Sequence, residues 1–232
     1  MTGKSKRQRL SAFWREQVRP FLVIAFLLGS FRSAVADWND VPTGSMRPTI
    51  LEGDRIFVDR TAYDLRVPFV GWRVVTWEEP KRGEIVVFWS PVDEKRLVKR
   101  VIGIPGDTVA VRDGRVYLNG APAQYAPLSA SDWRGLDVPG LDRRTAALET
   151  EPGARTHAVM ASSGWPAGPS FGPEVVPPGR YFVMGDHRDN SFDSRFWGYL
   201  DRERIVGRAR GVALSVDYDH WTPRWPRFFK AL

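Results

Sequence analysis

A serine stands in a short Pro- and Gly-rich segment, residues 41–49, where its hydroxyl could act as a nucleophile. Gly44 precedes Ser45, and a residue without a Cβ lets the backbone approach a ligand closely. Pro48 biases Arg47 toward an extended conformation, so the segment could present the hydroxyl on a rigid turn. Most serines in such turns only make local hydrogen bonds, so this segment by itself leaves both interpretations open.

A serine nucleophile needs a base, and the composition leaves few. The chain has only three widely spaced His and no S-x-x-K pattern. It has no Cys, which excludes disulfide scaffolds and cysteine nucleophiles. Lys99 lies in the run 96–102, where strand alternation places it on one face with Leu97 and Val101. Desolvation there would lower the pKa of the amine, so that its neutral form could act as a base near pH 7. A lysine at a sheet edge, or paired with an acid, is the simpler interpretation.

A third segment, residues 184–198, is too rich in charged and short polar side chains to form a strand. It predicts a tight, hydrogen-bonded loop after a strand that ends at Met184. Asp193 and Arg195 could form a local ion pair, and Ser191 could hydrogen-bond a nearby lysine. A calcium site would draw on Asp186, Asp189, Asn190 and Asp193. Their spacing does not match the D-x-[DN]-x-[DN]-G pattern, so we predict no metal.

The elements that must position these residues are mainly β-strands. Apolar and β-branched runs recur between Gly-, Pro- and Asp-containing turns, and none apart from an N-terminal run has helical periodicity. The predicted strands are 55–59, 73–77, 84–89, 96–104, 108–111, 115–118, 180–184 and 205–216. Residues 109–118, around Asp113-Gly114, predict a hairpin. Residues 121–179, rich in Pro, Gly, Ala and Ser, predict a long, partly irregular insertion.

The net charge of +7 is concentrated at the N-terminus. Residues 1–20 carry six basic groups and one acidic group, a net of +5, so the other 212 residues carry only +2. A basic arm before an apolar run indicates membrane topology rather than binding to nucleic acid. The uncharged stretch 20–31 is shorter than the roughly 20 residues of a membrane helix. A cleavable secretory signal ending at Ala34-Val35-Ala36 is the other interpretation, and both place the body outside the cytoplasm.

Four stretches in chain order resemble the bacterial type I signal peptidases, or leader peptidases, which are membrane-anchored serine proteases with a Ser–Lys dyad. They are 42–49 (PTGSMRPT), 81–88 (KRGEIVVF), 98–107 (VKRVIGIPGD) and 185–198 (GDHRDNSFDSRFWG). The resemblance covers residues 41–119 and 180–216 and barely touches 121–179, where the family also varies.

The resemblance implies a role for each motif residue. Ser45 would be the nucleophile and Lys99 the general base, with Ser191 orienting the lysine amine. The Ser45 N–H and the Thr43 hydroxyl would be the oxyanion donors. Asp193 and Arg195 would form the ion pair that holds the loop. The side chains that would line shallow pockets for small substrate residues are Val41, Pro42, Met46, Ile50, Leu97 and Val98. No metal or other cofactor is implied.

Two residues depart from the family pattern. Thr43 stands where many members have Ser, which keeps the hydroxyl but stiffens χ1. His187 stands where Asn is usual, and a titrating ring there could add pH sensitivity or could simply be exposed.

The implied organisation is a cytoplasmic basic arm (1–19), one transmembrane anchor (20–37) and a curved antiparallel β catalytic domain (38–232) containing the 121–179 insertion. The chain would be a single-pass protein of the bacterial inner (plasma) membrane, with its catalytic domain on the extracytoplasmic, periplasmic side. Its partners would be the signal peptides of secreted preproteins, cleaved after Ala-x-Ala, the lipid bilayer and the secretion translocon.

Two other functions remain compatible with the sequence. One is a maturation peptidase of the same Ser–Lys type that is dedicated to a single target, such as a conjugation or pilus precursor. The other is an anchored β-domain that only binds secretion components, against which the presence of both Ser45 and Lys99 argues.

Overall fold

The computed structural model describes residues 13–129, 132, 138, 146–161 and 168–232. Most of the basic arm, residues 1–12, therefore lies outside the described residues. A π-helical turn, Trp14–Val18, leads directly into helix α1, Arg19–Ala34. Among the described residues, no helix is both long and apolar enough to cross a membrane.

The rest of the described chain is mostly β-strand, with one short helix, α2 (Ser194–Trp197), and three 3₁₀ turns, Gly44–Met46, Arg202–Arg204 and Trp225–Arg227. The strands are β1 (Ala36–Asp40), β2 (Asp54–Asp59), β3 (Asp64–Arg66), β4 (Arg73–Thr76), β5 (Ile85–Trp89), β6 (Arg96–Gly103), β7 (Thr108–Arg112), β8 (Arg115–Leu118), β9 (Ala121–Pro122), β10 (Gln124–Ala126), β11 (Ala146–Thr150), β12 (His157–Met160), β13 (Phe171–Val175), β14 (Arg180–Met184), β15 (Leu200–Asp201), β16 (Ile205–Asp217), β17 (Thr222–Pro223) and β18 (Lys230–Ala231).

The largest sheet is antiparallel and runs β1-β2-β16-β5-β6-β14-β15, with β17 and β18 also paired to β16. The 13-residue β16 changes register three times against its two neighbours, and such bulges bend a strand. This bending accounts for the curvature of the sheet. Smaller sheets are β13-β7-β8-β9, β10-β11-β12 and the ribbon β3-β4.

Strand β5 is buried along most of its length because the core covers both of its faces. Ile85 and Val87 pack in one apolar cluster, while Val86 and Phe88 pack in another. A strand covered on both faces reads as a continuous apolar run, and the sequence Ile-Val-Val-Phe shows this pattern. The neighbouring strand β6 is therefore held at the centre of the domain.

The mainly-β prediction is confirmed, and every predicted strand lies within about two residues of an observed one. The predicted hairpin is also present, with Val109 opposite Leu118. Strand β1 was not predicted: Ala36 pairs with Asp59 where the sequence suggested the end of an apolar segment. The described part of the insertion is more regular than expected, because it contributes the β10-β11-β12 sheet.

Candidate active site

Ser45 lies on the 3₁₀ turn Gly44–Met46, which follows edge strand β1. The turn is tied to the sheet by Val41, whose N–H donates to Asp54 O (2.9 Å) and whose carbonyl accepts from Gly53 N (3.0 Å). Gly44 is buried, and a Cβ there would collide with the Glu52 carboxylate. A side chain at position 44 would therefore require the partly exposed carboxylate of Glu52, the end of a flexible side chain, to move.

Lys99 lies near the middle of β6, opposite Val86, and is only 2% exposed. Its Nζ lies 2.6 Å from Ser45 Oγ. Burial lowers the pKa of the Lys99 amine to about 8, although the carboxylates of Asp193 and Asp186 favour the charged form. The ammonium donates to the hydroxyl when it is charged, and the hydroxyl donates to the amine when it is neutral. The Lys99 amine can therefore accept the proton of the Ser45 hydroxyl near neutral pH.

Two buried ion pairs hold the 185–198 loop against this pair of residues. Arg100, next to Lys99 on β6, donates to both oxygens of Asp186 (2.8 and 2.6 Å). Burial alone would raise the pKa of Asp186, but Arg100 holds it below its ordinary value. Arg195 makes the equivalent two-point contact with Asp193 (2.8 and 2.8 Å), whose pKa is likewise lowered despite burial. Asp186 and Asp193 are therefore carboxylates that are each paired with an arginine.

Asp193 also shapes the loop through the backbone. Its Oδ1 accepts from Arg195 N (3.3 Å) at the start of α2, and its Oδ2 accepts from Gly185 N (3.0 Å). A Cβ at Gly185 would collide with both Ser191 Oγ and the carbonyl oxygen of Ser45. Gly185 therefore lets the loop lie directly against the Ser45 turn.

The structure brings most of the predicted site residues together but does not join Ser191 to Lys99. Within the described part of the chain, Lys99 donates only to Ser45, and Ser191 Oγ lies buried beside Gly185. Thr43 is exposed next to the Ser45 turn and makes no capping bond with its side chain.

The residues predicted to line substrate pockets divide between two environments. Val41, Met46, Ile50 and Val98 belong to one core cluster, whereas Leu97 packs against the other cluster. Met46 and Ile50 are 1% and 0% exposed, so they can support a pocket from beneath but do not form its open surface. Pro42 is exposed.

Sequence reasoning did not identify the support that the insertion gives to this loop. Arg188 is fully buried, and it donates to both oxygens of Glu149 on β11 (2.6 and 2.5 Å). On β12, Met160 N donates to Asp186 O (2.9 Å) and Met160 O accepts from Arg188 N (2.8 Å). No local signal could have revealed contacts between a variable insertion and a loop about 40 residues away, because they depend on tertiary packing.

The same region contains a candidate cation cluster. Ligand atoms of Glu149, Glu151 and His157 lie within 4.8 Å of one another, and all three residues are buried. Burial raises the pKa of Glu151 to about 8 and lowers that of His157 to about 4. Arg188 already occupies both oxygens of Glu149, so two residues remain, fewer than the three or four protein ligands of a typical metal site.

Comparison with known proteins identifies similar sequences. The sequence profile of the family described as "Signal peptidase, peptidase S26" matches residues 14–214. The chain is 34% identical to signal peptidase I of Pseudomonas fluorescens, over 86% of this chain and 72% of that protein. It is 31% identical to a probable signal peptidase I-2 of Synechocystis, over 90% of this chain and 77% of that protein. A crystal structure of a signal peptidase I from Enterococcus faecalis covers 57% of this chain and 98% of its own, at 30% identity and a TM-score of 0.34.

Proposed function

This chain belongs to the signal peptidase family, peptidase S26, and is a serine endopeptidase that removes signal peptides from preproteins; we propose that Ser45 and Lys99 carry out its reaction. The observation that carries the assignment is the 2.6 Å contact between Lys99 Nζ and Ser45 Oγ, made by an amine that is 2% exposed. A nucleophile within hydrogen-bond reach of a desolvated base is the geometry that covalent catalysis requires.

In the proposed mechanism the neutral Lys99 amine takes the proton from Ser45 Oγ as Oγ bonds to the scissile carbonyl carbon. The Ser45 N–H and the Thr43 hydroxyl stabilise the oxyanion. The C–N bond then breaks, and Lys99 passes its proton to the departing amine of the mature protein. A water molecule, deprotonated by the Lys99 amine, then hydrolyses the acyl-enzyme, which releases the signal peptide and frees Ser45.

The supporting residues have graded roles in this proposal. The Asp193–Arg195 pair holds the loop, and Ser191 orients the amine when substrate is bound, because apo contacts often tighten only in the complex. Small side chains of an Ala-x-Ala junction would meet the apolar surface formed by Val41, Pro42, Leu97 and Val98, which Met46 and Ile50 support from beneath.

Cleavage of a model preprotein with an Ala-x-Ala junction, by full-length enzyme in detergent, tests this assignment. Ser45→Ala and Lys99→Ala are expected to be inactive but folded. Lys99→Arg is expected to fail as well, because a guanidinium does not lose its proton. Cleavage by Ser45→Ala or Lys99→Ala at the wild-type rate would refute the assignment.

We also propose that the enzyme is held at the bacterial inner membrane by α1 and the preceding turn. A 16-residue helix is about 24 Å long and the hydrocarbon core is about 30 Å thick, so the flanking turn must share the span. The exposed apolar side chains of α1 are Phe21, Leu22, Val23, Ile24, Phe26, Leu27 and Leu28. Exposed apolar side chains on this scale mark a surface that avoids water.

The β3-β4 ribbon supports the same orientation. The Phe69 ring lies 5.9 Å from that of Phe26 on α1, and Phe69 N donates to Ser33 Oγ (2.7 Å). The ribbon's tip, residues 67–72, has no charged residue, and Trp72 is 74% exposed. Helix and tip together would face lipid, with the basic arm in the cytoplasm, the catalytic domain outside, and preproteins arriving from the translocon.

The absence of cysteine allows a clean test of the lipid contact. Trp72→Cys carrying an environment-sensitive fluorophore should shift to shorter wavelength in anionic vesicles, whereas the same label at the exposed residue Val92 should not. Equal spectra at the two positions would refute lipid contact by the ribbon. The orientation can be tested with external protease and sealed membrane vesicles. Residues 1–12 should be protected in right-side-out vesicles and cleaved in inverted ones.

A further inference from the structure

We propose that His187 is a positioning residue that fixes the direction of the Ser45 N–H, the proposed oxyanion donor. The inference rests on the proposed function, because it requires Ser45 to be the nucleophile. Most members of the family have Asn at this position, so the role of His187 does not follow from the family motif.

His187 holds the carbonyl groups on both sides of the Ser45 Cα. It is 5% exposed, so the ring is part of the packed site. Its backbone N–H donates to Ser45 O (3.1 Å), and its ring Nδ1 lies 3.1 Å from Gly44 O. A carbonyl oxygen can only accept, so Nδ1 carries the hydrogen and donates.

The peptide plane converts this contact into control of the oxyanion donor. The Gly44 carbonyl and the Ser45 N–H belong to one planar trans peptide, in which C=O and N–H point in opposite directions. Hydrogen bonds from His187 Nδ1 and from Arg47 N (3.0 Å) to Gly44 O therefore set where the Ser45 N–H points. That N–H belongs to the first residues of a 3₁₀ turn, which have no partner inside the turn, so it is available to a ligand.

The ring is itself held from two directions. Its Nε2 lies 3.2 Å from Asp189 Oδ1, and when both ring nitrogens carry a hydrogen Nε2 donates to this carboxylate, which keeps the ring turned with Nδ1 toward Gly44. The backbone on either side of His187 is bonded to Met160, through Asp186 O (2.9 Å) and Arg188 N (2.8 Å). The insertion strand β12 therefore supports the residue that orients the nucleophile turn.

Three substitutions separate this role from simple packing. His187→Asn keeps an N–H that can donate to Gly44 O, His187→Leu keeps volume without a donor, and His187→Ala removes both. An oxyanion acts only as the transition state forms, so a misdirected donor lowers kcat and leaves KM nearly unchanged. The matched control is His220→Ala, since the His220 side chain is 77% exposed.

Steady-state cleavage of the Ala-x-Ala preprotein by full-length enzyme in detergent measures both constants, and thermal unfolding shows that each variant is folded. His187→Leu and His187→Ala are expected to lose at least about tenfold in kcat, up to the roughly 10²-fold of a lost donor. His187→Asn should recover kcat to within about threefold of wild type on the same scale. If His187→Ala does not fold, His187→Leu against His187→Asn decides the question.

An unchanged kcat in folded His187→Leu would overturn the inference. Equal losses in the Asn and Leu variants, or a change confined to KM, would overturn it too. These outcomes remain distinct from failure of the proposed function: a Ser45→Ala enzyme that still cleaves refutes the nucleophile, whereas inactive Ser45→Ala beside fully active His187→Leu refutes only the role of His187.

Discussion

If Lys99 is the base, as proposed, its buried amine should make the activity strongly dependent on pH. At the ordinary amine pKa of 10.5, only about 0.03% of the molecules would hold a neutral base at pH 7. With the pKa lowered to about 8 by burial, about 9% do so at pH 7 and about half at pH 8. Burial in this site therefore supplies roughly 300 times more reactive base at pH 7.

The measurement is kcat/KM for an Ala-x-Ala peptide between pH 6 and pH 10, which reports the ionisation of the free enzyme. The neutral fraction increases from about 1% to about 50% between pH 6 and pH 8, so kcat/KM should rise about 50-fold. It should level off above about pH 9. Lys95→Met, which removes an amine whose side chain is 77% exposed, is expected to keep the wild-type profile.

Two results would refute this reasoning. A profile that is flat from pH 6 to pH 8 would mean that the essential base is already neutral there, which the pKa of about 8 does not allow. A profile that still climbs about eightfold between pH 9 and pH 10 would match an amine with the ordinary pKa of 10.5, and would mean that the amine is hydrated rather than buried.

Three further substitutions test the surroundings of the site. Lys99 has a lower pKa folded than unfolded, so the unfolded chain binds more protons between about pH 8 and pH 10.5 and wild-type stability rises with pH in that range. Methionine does not titrate, so the stability of Lys99→Met relative to wild type, measured by urea denaturation, should fall by about 3 kcal/mol between pH 7 and pH 11. Gly185→Ala should lose activity and about 1–3 kcal/mol of stability, since its Cβ would collide with the Ser45 carbonyl; an unaltered melting temperature would contradict that close contact. Glu149→Leu leaves the buried Arg188 guanidinium unpaired and should cost about 3–5 kcal/mol, whereas a loss under about 1 kcal/mol would indicate that the pair is hydrated.

Much of the fold could be predicted from local pattern. The strands β2, β5, β6, β14 and β16 were found because alternation or continuous burial leaves a trace in the run of residues itself. Strand β1 has the sequence Ala-Asp-Trp-Asn-Asp, which carries no such trace, and it forms because β2 offers a free edge. The β10-β11-β12 sheet was missed for the same reason.

The candidate site divides in a similar way. The absence of cysteine and the shortage of histidine left serine and lysine as nucleophile and base, and the resembling motifs then selected Ser45 and Lys99. Neither fact places the two side chains in contact. They are 54 positions apart, and their 2.6 Å distance depends on the Ser45 turn packing onto β6.

The sequence by itself determined the chemical inventory, the strand segments and the character of the 185–198 loop, because these depend on residue type and on neighbours along the chain. Tertiary structure alone decided how far the Lys99 amine is desolvated, that Arg100 pairs with Asp186 86 positions away, and that the insertion supports His187 through Met160. Those properties arise from strand order and register, which bring distant segments together, and from the exclusion of water around them, which no local pattern encodes.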